Sequence, residues 1–441
     1  MKQFLTAGVL LALGCGSGGA TGSVVVSEGV DPTAADAVVA GAPDPVLAWN
    51  AIAIQQIAPP GGVAKPGTLG FIDEAIVHTA IYDAVEAIHR RYTAFASRPG
   101  IRGPASAYAA VASAGHEVLV ALYPASSSAL DTSLAASLAY VRDGRAKDNG
   151  VAIGKDAADA ILALRANDGR NAGGTFTTSG GIGVWVPTPP GLLPALTPWL
   201  RFVTPWTMSS PSQFRPGPPP SLDSELWIRD YNETKALGAK VGSTRTAEQT
   251  DIGLFWSDNP ELQVDRYWRG IAIAQRLSLE ENARFFAMLT VARSDATIAC
   301  WDAKFHYAFW RPVTAIQAGG GNPALTADPA WASNAVTPNH PEYPAAHGCA
   351  TSASAHTLQA FFRTDELHFS VDSTVAALMS PVRTYERFSD LLEEVKRARV
   401  YGGMHYRNST EQGALLGKRV VRQMVRHHFR PLEDEDQDGE D

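Results

Sequence analysis

Apolar residues in this chain recur at three- and four-residue spacing, which is the period of a helix with one buried face. The run Leu69–Ile88 shows it most strongly, and Ala-rich segments near 104–123, 126–143 and 150–166 repeat it. Further helices are predicted at about 245–256, 260–276, 280–318, 347–363, 384–400 and 408–428. No segment shows the strict alternation of a half-buried strand, so the expected fold class is all-α. One stretch breaks the pattern. Residues 171–222 are rich in Gly and Pro and end in Arg215-Pro-Gly-Pro-Pro-Pro220, which excludes regular helix. Trp185, Trp199, Phe202, Trp206 and Phe214 are spread through it, so a packed loop is expected rather than a free one.

The 441 residues are 45% apolar and 19% charged, ordinary for a globular chain with a sizeable core. The formal net charge of -8 gives no basic surface for nucleic acid, although it leaves room for a cationic pocket. Lys2 followed by the short apolar run Phe4–Leu13 reads as an export signal over residues 1–15. Leu13-Gly14-Cys15 resembles a bacterial lipoprotein cleavage box, with Ala12 in place of the preferred large residue. This predicts an exported chain, periplasmic or at the cell surface, touching a membrane only through lipid on Cys15. Residues 16–45 read as a tether, 46–430 as the helical domain, and 431–441 as an acidic, solvated tail. Of the remaining cysteines, Cys300 and Cys349 either pair in an oxidising compartment or stay as two separate buried thiols.

Three segments carry chemistry. Lys304 and Arg311 are seven residues apart, nearly two helical turns, among Trp301, Phe305, Tyr307, Phe309 and Trp310. Helical spacing places the pair on one face with Trp301. Taken alone it reads as an outer, solvated stripe. Buried cations in such surroundings would need a partner, which an anion supplies. In His340-Pro-Glu-Tyr-Pro-Ala-Ala-His347, the prolines hold off the helix until about Ala345, so a helix start near His347 would offer free N–H groups to an anion. His347 suits acid–base work, although a histidine at a helix start is more often only a hydrogen-bonding residue. In Arg399-Val-Tyr-Gly-Gly-Met-His405, the paired glycines are expected to end a helix and let Arg399 and His405 face one site across a bend. Its ordinary alternative is a C-capped helix with a basic last turn.

The order Lys-x6-Arg-Pro, Pro-x-x-His, Arg-x3-Gly-x-His resembles the signature of the vanadium-dependent haloperoxidase and type 2 phosphatidic acid phosphatase superfamily over about residues 304–409. The resemblance implies two four-helix bundles, with the Gly/Pro-rich loop shaping the mouth of a channel. It implies that Lys304, Arg311 and Arg399 hold the equatorial oxygens of vanadate, or of phosphate in the same site. The backbone N–H of Ala346 would also donate to the anion. His405 would be bonded to vanadium, or be the phosphorylated nucleophile of a phosphatase, and His347 would be the acid–base group at the opposite apex. Trp301 and His340 match pocket residues of haloperoxidases, and a histidine at the His340 position accompanies bromide oxidation. The partners implied are hydrogen peroxide, a halide and an organic acceptor. The oligomeric state is left open.

Three departures bear on this reading. Ala345 stands where the family usually has a serine touching the anion, a bond worth roughly 1.5–3 kcal/mol. Ala398 replaces a serine before the arginine. Ser409 replaces an acidic residue four places after His405, altering what orients that ring. Asp251 and Glu248 are the candidates for the carboxylate that supports Arg399. Trp301, His340 and the chain length favour a haloperoxidase. A phosphatase and a non-catalytic oxyanion-binding surface lipoprotein are the alternatives.

Overall fold

The computed structural model describes residues 41–96 and 103–432. The expected signal, Cys15, most of the tether and the acidic tail from Glu433 lie outside the described residues.

Thirteen α-helices carry the fold. α1 (Pro45–Ile57), α2 (Gly67–His89), α3 (Ala107–Leu122), α4 (Ser127–Leu138) and α5 (Arg145–Arg165) come before the long loop. α6 (Glu225–Leu237), α7 (Ala247–Phe255), α8 (Pro260–Ala274) and α9 (Leu279–Tyr307) follow it. α10 (Pro312–Ala318), α11 (Ala346–Phe362), α12 (Phe388–Tyr401) and α13 (Arg407–His427) complete the chain. α1, α2, α3 and α5 pack into one bundle, and α9, α11, α12 and α13 into a second. α2 and α9 lie back to back between them and are buried on nearly every side. Both carry buried charged side chains as well as apolar ones, among them Glu74 and Asp83 of α2 and Arg293 and Asp295 of α9. α9 is about 43 Å long at 1.5 Å per residue, and it starts at a capping box in which Ser278 and Glu281 satisfy each other's backbone N–H groups.

α11 and α13 approach too closely for side chains at their crossing. A Cβ on Gly413 would stand 2.6 Å from the Ala345 carbonyl oxygen, and one on Gly417 would stand 2.4 Å from that of Cys349. This contact fixes the start of α11 beside the start of α13, and so sets His347 near His405.

The structure corrects the sequence reading in four places. The helix expected over 280–318 is two helices: α9 ends where Ala308 takes a left-handed conformation, φ 46°. Arg311 is the extended N-cap residue of α10, so it does not share a helical face with Lys304. The helix expected from 384 starts at Phe388, because β1 (Glu366–Asp372) and β2 (Val382–Arg387) form an antiparallel hairpin before it. α1 and α6 were not anticipated. Both have caps visible in sequence: Asp44 accepts from Val46 N and Leu47 N, and Ser224 from Trp227 N.

The long loop is packed, as its aromatics suggest. Trp185 and Trp206 are buried, although Phe202 is exposed. Asp295 of α9, fully buried, accepts the Trp206 and Thr207 N–H groups and the Thr207 hydroxyl. The Trp301 indole donates to Leu196 O, tying the loop beside the site.

Candidate oxyanion site

Lys304, Arg311, Arg399 and His405 are all buried, at 0, 0, 2 and 1% exposure. None of the three cations forms an ion pair with a carboxylate among the described residues. The solvated stripe is therefore ruled out, and carbonyl groups hold the charges instead. Lys304 Nζ donates to Pro341 O (2.8 Å) and Glu342 O (2.9 Å), which fastens the end of α9 to the loop before α11. Arg311 donates from Nε to His340 O and from Nη1 to Met404 O, both at 2.8 Å. Its Nη1 also lies 3.1 Å from His405 Nε2, and its Nη2 3.0 Å from His340 Nδ1. Arg399 donates from Nη1 to Trp256 O and from Nη2 to Met404 Sδ, while its Nε is buried without a partner.

The third segment folds as its glycines imply. α12 ends at Tyr401, Gly403 takes φ 74°, and Met404 N returns to Arg399 O. A Cβ on Gly403 would stand 2.4 Å from Gly238 O, so only glycine fits this turn. The turn places His405 back beside Arg399. α11 begins at Ala346, with Ala345 as an N-cap that has no side-chain hydrogen bond. The first-turn N–H groups at Ala346 and His347 thus lack partners within the helix.

The carboxylate that orients the site was missed from sequence. Glu342, fully buried, accepts from His405 Nδ1 (2.9 Å) and Tyr406 N (3.1 Å). A donor at Nδ1 leaves the lone pair on Nε2, the form required of a ligand or nucleophile. Its signal was an acid between two prolines inside a motif otherwise made of cations. Ser409 Oγ donates to Glu342 O at 3.5 Å and also favours the ionised Glu342 carboxyl. The two acids offered as supports for Arg399 are elsewhere: Glu248 and Asp251 both pair with Arg383, at 2.8 and 3.0 Å.

Electrostatics follow from this burial. Burial lowers Lys304 to about 8 and Arg311 to about 10. Burial and the Arg311 charge lower Arg399 to about 9. Burial pushes Glu342 up to about 7, against the pull of Lys304 and Arg311. Burial and the facing cations hold His340, His347 and His405 well below the usual imidazole range, hence neutral. An anion entering here would relieve every one of the cationic shifts.

His347, His405, Arg399, His340, Trp301 and Ala346 line one cavity of about 250 Å³. His340 packs on Trp301 with ring centroids 4.9 Å apart. Lys304 and Arg311 sit behind this wall. Cys300 and Cys349 are free, buried thiols, and Cys300 Sγ lies 3.6 Å from Pro344 O.

Residues 284–434 match the family model of the VCPO second helical-bundle domain. The fold is similar to that of a bacterial vanadium-dependent iodoperoxidase, at a TM-score of 0.74 and 24% identity, over 88% of this chain and 98% of that one. It is also similar to the apo form of a bacterial vanadium-dependent chloroperoxidase, at 0.66 and 19%, over 85% and 96%. The holo form of a bacterial vanadium-dependent chloroperoxidase aligns at 0.63 and 18%, over 81% and 90%. Among functionally curated proteins no relative of the sequence is detectable.

Proposed function

The chain has the fold of the vanadium haloperoxidase superfamily and carries that family's second helical bundle, and from this premise we propose that it is a vanadate-dependent haloperoxidase oxidising bromide or iodide with hydrogen peroxide. The observation that carries the reading is His405, whose Nδ1 is held by Glu342 so that its Nε2 lone pair, which accepts from Arg311 Nη1 at 3.1 Å, lies among three cations without carboxylate partners. That donor set fits a tetrahedral oxyanion bonded to one histidine. It does not fit a bare metal cation, which three positive side chains would repel.

Vanadate, when bound, supplies the electrophilic centre at which peroxide is activated. The chain's own residues do the rest. Arg399 offers its unpartnered Nε, and Lys304 has a third proton beyond its two carbonyl bonds. These fixed donors stabilise oxygen charge without reorganising, an effect strongest away from water. Neutral His347, half-buried at the start of α11, takes the proton from incoming peroxide and returns it to the leaving oxygen. His340, tilted against Trp301 at 48°, lies where the halide would approach, and a histidine there favours bromide or iodide.

Protein lacking residues 1–15 is stripped of phosphate and assayed with and without orthovanadate for peroxide-dependent bromide and iodide oxidation, alongside aryl phosphate hydrolysis. Vanadate-dependent halide oxidation, lost in His405→Ala, is expected. Hydrolysis blocked by vanadate, with no halide oxidation, would move the chain to the phosphatase branch.

A further inference from the structure

The cavity that holds the histidines extends well past them, between α2, α8 and α9. Its far wall is made of Phe71, Val264, Tyr267, Trp256 and Leu196. Peroxide is polar and halide is charged, and neither needs an apolar wall of this extent. An apolar cavity of about 150 Å³ holds one benzene. The 250 Å³ here therefore admits a single substituted ring beside a bound oxyanion.

One polar atom in this wall lacks a partner. Arg293, 2% exposed, lies three turns before Lys304 along the same face of α9. Its guanidinium covers the Phe71 ring at 3.6 Å and donates from Nη2 to Pro260 O at 2.9 Å. Nη1 has no hydrogen bond, and the closest Glu74 oxygen, at 4.0 Å, is beyond reach. Glu74, Glu261 and Asp265 are buried and all interact with one another and Arg293. Burial pushes the Glu74 carboxyl well above the usual carboxylate range and Glu261 up to about 7, toward their neutral forms. A second anion is disfavoured by the oxyanion in the cage.

We propose that this cavity binds the organic acceptor itself, a neutral single-ring aromatic such as a phenol, its ring against Phe71 and Val264. This rests on the haloperoxidase reading. Hypohalous acid formed at the cage meets the ring before it escapes. The ring's π electrons form the carbon–halogen bond as the halogen–oxygen bond breaks. The ring C–H then loses its proton, which leaves with hydroxide as water. Halogen goes from +1 to -1 and the ring carbon is oxidised by two electrons.

The test begins without turnover. 4-Methylphenol and 4-methylbenzoate are titrated separately, by calorimetry and without peroxide, into protein loaded with vanadate. The phenol should bind at least tenfold tighter than the benzoate. Val264→Trp should weaken the phenol at least tenfold, and Val264→Ala should admit 2-naphthol, which the parent excludes. Equal binding of the two ligands, or binding indifferent to both Val264 variants, overturns the proposal. In a second arm, vanadate-loaded enzyme with peroxide and iodide is offered dissolved phenol and phenol tethered to agarose beads. The dissolved ring should be iodinated preferentially over the ratio given by reagent hypoiodous acid, and a ratio equal to the reagent's overturns the proposal. Absence of any halide oxidation would sink the haloperoxidase reading, and the binding arm would then decide the pocket by itself.

Discussion

Replacing Glu342 by glutamine separates two things one carboxylate does. Oε1 accepts from His405 Nδ1 at 2.9 Å and from the Tyr406 N–H at 3.1 Å. A glutamine amide oxygen can accept both, so the shape survives and the charge is lost. A hydrogen bond to a charged group is worth about 1.5–3 kcal/mol and a neutral one about 0.5–1.5. The difference, about 1–1.5 kcal/mol, is roughly tenfold in an equilibrium constant. At pH 8, where a carboxyl pushed up to about 7 is ionised, Glu342→Gln should weaken vanadate binding about tenfold, because Nε2 becomes a poorer ligand. The Coulomb effect has the opposite sign, since removing a negative charge beside Lys304 and Arg311 makes the cage more attractive to anions. Sulfate forms no bond to histidine and feels only that second effect, so it should bind somewhat tighter to the variant. Calorimetry with both anions on phosphate-free protein reads the two signs. If vanadate and sulfate tighten together, Glu342 is merely a counter-charge and the orienting role assigned to it is wrong.

Other outcomes follow from the same geometry. Ala345→Ser supplies the missing N-cap of α11, and should raise stability by about 1 kcal/mol in thermal unfolding and tighten oxyanion binding; a lower Tm would mean the buried site has no room for the hydroxyl. Sulfate affinity should weaken through pH 7 as Glu342 ionises and fall more steeply, by up to a further tenfold per unit, above pH 8. Burial lowers the free Lys304 amine to about 8, so binding above that pH must take up a proton that is already present below it. Lys304→Met should remove the part of the slope that sets in at pH 8 and leave the Glu342 part near pH 7. Gly413→Ala drives a methyl to 2.6 Å from Ala345 O, and should cost about 1–3 kcal/mol by denaturant titration while also loosening vanadate binding, since the crossing of α11 and α13 sets His347 against His405.

The helical architecture was legible because period and caps agree over long segments. α2 announces itself by apolar residues at three- and four-residue spacing, and α9 by its Ser278–Glu281 box. The site was legible as a set of residues but not as a geometry. Lys304 and Arg311 looked like neighbours on one helix, yet the left-handed Ala308 ends that helix, and both side chains instead reach the carbonyls of the 340–342 segment. No local propensity marks an alanine for positive φ; tertiary packing imposes it. Glu342 was invisible for a related reason. Its partner His405 is 63 residues away, and nothing in a Pro-Glu-Tyr-Pro string says which histidine it meets. The β-hairpin escaped because β1 and β2 are short and each has only one or two inward positions.

The lysine and arginines of the cage keep their charges on backbone carbonyls: Pro341, Glu342, His340, Met404 and Trp256. These bonds are made by the chain alone. A site whose cations relied on the oxyanion for a partner would loosen whenever the oxyanion left, and would have to be rebuilt around each new one. Here the chain's own carbonyls brace the cations, so in the proposed function one oxyanion can replace another without the cage being rebuilt.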